Sequence, residues 1–432
     1  MTKTLNTGQA AAADAFFEFL FDDDQREMSL SGPGGVGKTF LMSFLIDNII
    51  PRYQQACKLV GVEPRFNEVF MTATTNKAAE VLAVATQRPT STVHSFLGLK
   101  VKDNYSTGKS TIERTNSWTV RENIILFVDE CSMIDSQLLA YIREGLLNSK
   151  IVYVGDHCQL PPVMEASSPI YTKNMPTYEL TEQMRTNNPD LQALNDQLRN
   201  TVETGVFKPI QIIPGVIDHL NDEQMAATME SVLMDNNHES RALAYTNKRV
   251  IQFNDHIRFM RNLPDEWQVG ESLINNSAIR HLGEQISVEE ELELVSASDT
   301  TEKQYIVGDP EGFFETRRCN FKSKIGHEIP NLNVPVDPVH YLALIKFYAS
   351  QKNWQAMYFL KNNFPDLRQR DAATFHKVQG SSHDSVFIDL GDLSTCRNPD
   401  VAARMLYVAA SRARYRIFLY GELASKFGGI RH

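Results

Sequence analysis

Residues Gly32-Pro33-Gly34-Gly35-Val36-Gly37-Lys38-Thr39 spell G-x-x-x-x-G-K-T, the stretch that most narrows what this chain can fold into. Met28–Ser31 before it reads as the end of a short buried strand. Phe40–Ile50 after it has the apolar spacing of a helix, with Pro51 expected to end it. Strand, glycine loop and helix together turn backbone N–H groups toward a polyphosphate, and the helix N-terminus adds partial positive charge there. In that arrangement Gly34, Gly35, Val36 and Gly37 allow close approach, with Phe40 alongside. Lys38 reaches the β- and γ-phosphates, and the Thr39 hydroxyl holds Mg²⁺. A glycine-rich turn matching by chance would not carry both flanks. The expected ligand is a nucleoside triphosphate.

At 432 residues the chain has room for several domains of ~150 residues each. Its 42% hydrophobic and 22% charged content is that of a soluble globular protein with real cores. A net charge of -10 argues against a generally basic coat protein for nucleic acid, yet allows a basic groove on an acidic body. The five cysteines are scattered and lack C-x-x-C spacing, so neither a disulfide framework nor a zinc site is expected, and a reducing, cytoplasmic setting fits. Asp14, Glu18 and Asp22–Asp24 interrupt any apolar leader, and no stretch is long and apolar enough to suggest a membrane span.

Along the chain, residues 5–21 read as a helix capped by Asn6 or Thr7. Gln9 in its first turn has an amide able to read an adenine edge, or is simply a solvated glutamine. Glu68–Thr74 and then Asn76–Thr86 imply a second parallel strand and its helix. Thr72, Thr74, Thr75, Asn76 and Lys77 would sit at the strand's carboxyl end, suited to phosphodiester contacts, although capping alone explains Thr75 and Asn76. Leu99–Trp118 reads as two short strands around Ser106–Lys109, a surface decoration or a wedge. The apolar strand Asn123–Val128 ends in Asp129-Glu130. Behind a phosphate loop, Asp129 would hold Mg²⁺ through water and Glu130 would deprotonate the attacking water. The strand Lys150–Val154 leads to Gly155–Pro162, where Gln159 is placed to sense a γ-phosphate and the prolines to carry that signal onward. A helix from about Pro189 to Thr204 follows, while Gly205 to about Glu223 carries little information. A second α/β unit begins at Arg241–Thr246 and Asn247–Arg261. It pauses for a β-rich stretch of residues 267–370, then resumes at Asp371 through the strand Ser385–Leu390. The last elements are the helix Asp400–Ala413, with Arg404, Arg412 and Arg414, and the strand Arg416–Tyr420.

The order of GPGGVGKT, TATTNKAA, TVHS, FVDECSM, VGDHCQLPPV, LTEQMRT, AYTNK, TFHKVQGSSHDSVFIDL and LYVAASRAR resembles the motif series of superfamily-one helicases, in their RecD-related 5′→3′ branch. The resemblance runs from about Leu5 to Tyr420 and is weak between Gly205 and Arg241 and across the β-rich stretch. It implies an α/β fold of two RecA-like P-loop domains with parallel sheets and ATP bound between them. Residues 1–98 and 119–190 would form the first and residues 191–266 and 371–432 the second. The inserted hairpin 99–118 would be a strand-separating pin, and 267–370 an SH3-like insertion. Carried over by position, Lys38, Thr39, Asp129, Glu130 and Gln159 line the site, Arg185 contacts the γ-phosphate, and Arg412 is the arginine finger. Ser411 stands where the motif usually has threonine. Thr72, Thr74 and His94 on one domain, and Asn247, His376 and Lys377 on the other, would contact single-stranded DNA. Tyr105 is the hairpin aromatic placed to stack on a base. Mg²⁺–ATP is the implied cofactor pair, with single-stranded and tailed duplex DNA as partners and single-strand-binding or replication proteins beside them. No dimerisation motif is visible, so a monomer is expected.

That reading is an ATP-dependent helicase. A translocase that displaces bound proteins and unwinds weakly is the closest rival. A nucleotide-switched binding module does not need both Glu130 and Arg412, and a small-molecule kinase leaves the C-terminal half unexplained.

Overall fold

The computed structural model describes residues 4–162, 165–172, 175–182, 188–235, 239–264, 266–324 and 326–432. Its first sheet is parallel, in the order Thr177–Glu179, Glu27–Ser31, Lys150–Gly155, Ile124–Asp129, Glu68–Ala73 and Thr90–Thr92. Because helices cover both faces, the central strands are apolar throughout, as Ile124–Val128 shows. The first helix and residues 38–59 pack on one face around Phe16, Leu41 and Leu45. Helix Ser136–Glu144 covers the other face with Leu138, Leu139 and Ile142.

Pro51 does not end the helix after the phosphate loop. The helix runs on as Lys38–Phe44, a π-helical turn Leu45–Ile49 and then Ile50–Leu59. A proline lacks an N–H and crowds the carbonyl four residues back; widening the preceding turn relieves both problems. The C-terminal helix is shorter than expected, Pro399–Ala410, and its strand longer, Ala413–Tyr420. Arg412 therefore sits in the tight junction between them.

The second sheet is also parallel, in the order Ile217–Leu220, Ala413–Tyr420, His383–Asp389, Arg241–Ala244 and Ala372–Thr374. Helix Pro189–Thr204 belongs to its core, where Leu191, Leu194 and Leu198 pack with Leu406 and Tyr407. The edge strand Ile217–Leu220 and the helix Asp222–Leu233 lie in the stretch where sequence signals are weak. Asn221 and Gln224 there form a capping box, a start signal present in the sequence.

Between the halves of the second unit stands an antiparallel five-stranded sheet, Glu328–Pro335, Phe313–Ser323, Glu291–Tyr305, Ser272–Asn275 and Leu367–Gln369. Its long central hairpin reaches away from this base to a second apolar cluster. There Ile306 and Phe314 pack against helices Pro338–Ser350 and Trp354–Asn363. Among the described residues no helix is long and apolar enough to cross a membrane.

Candidate nucleotide cleft and nucleic-acid track

Strand register gathers the first unit's candidates at one sheet edge. Ser31 pairs with Gly155, Ala73 with Asp129, and Val128 with Tyr153, so the loops after these strands open side by side. The phosphate loop needs its glycines: Gly35 and Gly37 have φ of 92° and 79°, left-handed values that a side chain resists. A Cβ on Gly32 would lie 2.4 Å from the Leu180 carbonyl oxygen. Lys38 donates from Nζ to the Gly32 and Pro33 carbonyls at 2.7 and 2.9 Å, folding its cation into the loop's hollow. Thr39 and Phe40 are half-buried in the first helical turn, Phe40 lying 6.5 Å ring to ring from Phe44. Gln9 is fully buried rather than solvated. Its Oε1 accepts from the Asn6 N–H at 3.2 Å, and its Nε2 donates to the Val36 carbonyl at 3.2 Å. The glutamine thus fastens the phosphate loop to the first helix, and reading a base edge requires it to exchange those partners.

Glu130 follows the strand Ile124–Asp129 in a left-handed conformation, φ 52°, which costs a non-glycine residue roughly 1–2 kcal/mol. The strain aims its carboxylate into the cleft, where Oε2 is buried with no hydrogen-bond partner among the described residues. Gln159 Oε1 is orphaned in the same way. Buried acceptors are normally satisfied, and two at one sheet edge call for a donor such as water on a bound phosphate. The hard oxygens of Thr39 and Asp129 are the donor set that suits Mg²⁺.

Burial, and then Glu130 beside it, push the Asp129 carboxyl up to about 7, with the Glu130 N–H and Lys38 pulling the other way. A carboxyl raised in the fold binds more protons there than in the unfolded chain, so metal-free stability falls as pH rises from 3.8 toward about 7. A metal must displace the same proton. Affinity for Mg²⁺–ADP should therefore strengthen about fivefold as pH rises from about 6 to 7, and level off about a unit higher. Calorimetric titration across that range checks this; a flat profile, or a slope unchanged in Asp129→Asn, contradicts it.

The second unit faces this cleft with Gln379 and Gly380, which the sequence reading did not single out. Gln379 Nε2 donates to Ser132 Oγ at 3.3 Å, and a Cβ on Gly380 would lie 3.8 Å from Glu130 Oε1. Arg412 is 2% exposed, its guanidinium folded onto its own unit. It donates to the Val408 and Ser381 carbonyls at 3.1 and 3.2 Å and to Ser411 Oγ at 2.9 Å. Among the described residues it meets only neutral oxygens. A buried cation without a carboxylate is poised to take an anion. Ser411, the departure from the usual threonine, supplies the hydroxyl that holds it. Arg185 lies outside the described residues.

The nucleic-acid candidates divide. Thr72 is a correction: it is fully buried within its strand, and its hydroxyl donates to the Phe127 carbonyl at 2.9 Å, so it cannot reach a ligand. Thr74, one residue past the strand, is half-buried and donates to the Glu130 carbonyl at 3.2 Å, which ties any contact it makes to the loop of the acidic pair. His94 opens from the neighbouring strand end, where burial lowers its pKa against the pull of Asp135. In the second unit, Ala244 pairs with Thr374, so Asn247 and His376 leave the same edge, and both are exposed. Asn247 accepts from Arg368 at 3.2 Å. Lys377 is engaged by the insertion, its Nζ 3.0 Å from Glu289 and bonded to Asn276.

The hairpin is Leu99–Asp103 paired with Ser110–Arg114. Tyr141 holds its base by donating to the Ile112 carbonyl at 3.1 Å. Its tip is docked on the insertion: Asn362 donates to Asp103 at 2.7 Å, and Tyr105 lies edge-on to Tyr358 with centroids 5.5 Å apart. Tyr105 is therefore a brace more than the free stacking wedge expected of it. Gly108, φ 68°, passes so close that a Cβ would meet the Trp354 ring at 2.6 Å. Tip and insertion thus close an arch from the first unit to the second.

Residues 4–209 match the family described as "AAA domain", and residues 371–420 match "UvrD-like helicase C-terminal domain". The ATP-dependent DNA helicase dda of Enterobacteria phage T4 is 25% identical over 471 residues, covering 96% of this chain and 98% of that protein. Uncharacterized protein R530 of Acanthamoeba polyphaga mimivirus is 23% identical over 504 residues, covering 95% and 99%. Among solved structures, the Pif1 helicase from Bacteroides in complex with ADP-AlF3 and ssDNA is similar with a TM-score of 0.55 at 14% identity, covering 100% of this chain and 95% of that one. The shared architecture is a pair of RecA-like α/β units.

Proposed function

We infer that this chain, which belongs to the superfamily-one helicases of the branch that includes Dda, is an ATP-dependent DNA helicase moving 5′→3′ on single-stranded DNA. The observation that carries the reading is the pair of orphaned buried acceptors, Glu130 Oε2 and Gln159 Oε1, at the edge that holds the phosphate loop. Glu130 takes the proton from the attacking water, Gln159 contacts the γ-phosphate side of that water, and Lys38 leaves its loop carbonyls for the phosphates. Thr39 and Asp129 would hold Mg²⁺, which would neutralise charge on the phosphate oxygens. Arg412 exchanges its carbonyl partners for the transferring phosphate as the cleft closes, so hydrolysis waits for the second domain.

Thr74, His94, Asn247, His376 and Lys377 border the strand-end surface that we assign to DNA, with phosphate contacts supplying affinity independent of sequence. We take the domains to follow the limits expected from the sequence, with the whole of helix Pro189–Thr204 in the second, a monomer as the working unit and the cytoplasm as its place of work. Alternate gripping by the two domains turns cleft closure into steps along the strand. Tailed duplexes test the direction: unwinding from 5′ tails is expected, and unwinding confined to 3′ tails contradicts it.

The docked hairpin favours strand separation over mere displacement of bound proteins. Gly108→Leu, which drives a side chain into Trp354, should cut unwinding about tenfold or more, a coupling loss of roughly 1.4 kcal/mol, with DNA-stimulated ATP hydrolysis kept. Equal unwinding by the variant would leave the hairpin a decoration.

A further inference from the structure

The loop carrying Gln159 is chained to the first sheet but built into the second unit. Cys158 and Leu160 lie in the second unit's apolar core with Leu194, Leu198 and Tyr407. Arg404, in the C-terminal helix, donates from one nitrogen to two main-chain carbonyls of the loop, those of His157 and Gln159, at 2.6 and 2.7 Å. One turn on, the Tyr407 hydroxyl donates to Asp156 Oδ2 at 2.6 Å, while Arg199 Nη1 pairs with Asp156 Oδ1 at 2.6 Å. Asp156 is fully buried; its Oδ2 is held by Tyr407, while its Oδ1 is shared between Arg199 and the Cys158 N–H of its own loop, which donates at 3.1 Å. Burial, and then Asp156, raise the Tyr407 pKa, keeping the phenol a donor. Asp156, His157 and Cys158 bring ligand atoms within 4.8 Å of one another, but Arg199 and Tyr407 already occupy Asp156, so a cation has no place there. Fewer ties run back to the first unit: Gly32 N–H donates to the Gly155 carbonyl at 3.1 Å, and Ser31 Oγ lies 3.4 Å from His157 Nδ1.

We propose that Asp156, Arg404 and Tyr407 are positioning residues that latch the Gln159 loop to the helix leading into Arg412, so that phosphate sensor and arginine finger travel as one body. Closing the cleft then delivers Gln159 and Arg412 to the γ-phosphate together, and a half-closed cleft delivers neither. The inference rests on the helicase reading above and adds how the two catalytic groups are synchronised.

The test uses Tyr407→Phe, which keeps the ring in the core and removes only the hydroxyl. DNA-stimulated kcat should fall roughly tenfold, the scale of a coupled contact pair, with KM for DNA and nucleotide affinity within about twofold of wild type. In a Gln159→Ala background the same change should add nothing, because the latch acts through Gln159. Arg404→Met, which keeps an unbranched stem and removes the donors to both carbonyls, should behave likewise and serves if the first variant folds poorly. Wild-type kcat in both variants, or losses that multiply with Gln159→Ala, overturns the latch while leaving the helicase reading standing. Wild-type protein whose ATP hydrolysis ignores single-stranded DNA overturns both.

Discussion

Glu130→Gln should lower DNA-stimulated ATP hydrolysis by about 10²–10⁴-fold, the usual contribution of a positioned general base, while nucleotide affinity stays close to wild type. The amide keeps the shape of the side chain and its left-handed backbone but cannot accept a proton from water. Because Glu130 Oε2 has no hydrogen-bond partner among the described residues, the substitution breaks no hydrogen bond of that oxygen. Phosphate release in steady state, read beside equilibrium binding of ADP, separates the two quantities. A variant hydrolysing at more than about a tenth of the wild-type rate would move the base elsewhere.

Arg412→Ala should cost about 10³–10⁵ in kcat, as arginine fingers do in related phosphoryl-transfer sites, because the charge it meets develops only in the transition state. Arg412→Lys should restore little, since an ammonium cannot copy the planar contacts to Val408, Ser381 and Ser411. Arg412 is buried, so thermal denaturation must accompany the kinetics. The expected pattern is a modest fall in Tm beside a collapse in turnover. A fall in Tm with turnover largely preserved would make Arg412 a structural residue of the second domain.

The phosphate loop, the acidic pair and the parallel strands of the motor units were legible because each couples a short motif to an apolar strand before it. Thr72 was misjudged because a parallel sheet buries both faces: Met71, Thr72 and Ala73 are all buried, so alternation carries no sign of which side chain points outward. Pro51 misled because a widened turn hides a proline that an ordinary α-helix rejects. The short edge strands Thr177–Glu179 and Ile217–Leu220 are too brief for a period to emerge. Arg404 did leave a trace. It is the one charged residue in the run Val401–Ala410, and an arginine amid apolar neighbours announces a partner across an interface. Which partner it meets, two carbonyls 245 and 247 positions earlier in the chain, is a long-range fact that no local pattern encodes.

The central claim is that one cleft couples ATP hydrolysis to motion on DNA. Its most direct measurement is the ATP hydrolysis rate with and without single-stranded DNA, for wild type and for Lys38→Ala. Strong stimulation of the wild type by DNA, and none in Lys38→Ala at any DNA concentration, is the result expected. DNA-stimulated turnover surviving in Lys38→Ala, or a wild-type rate indifferent to DNA, would contradict the account.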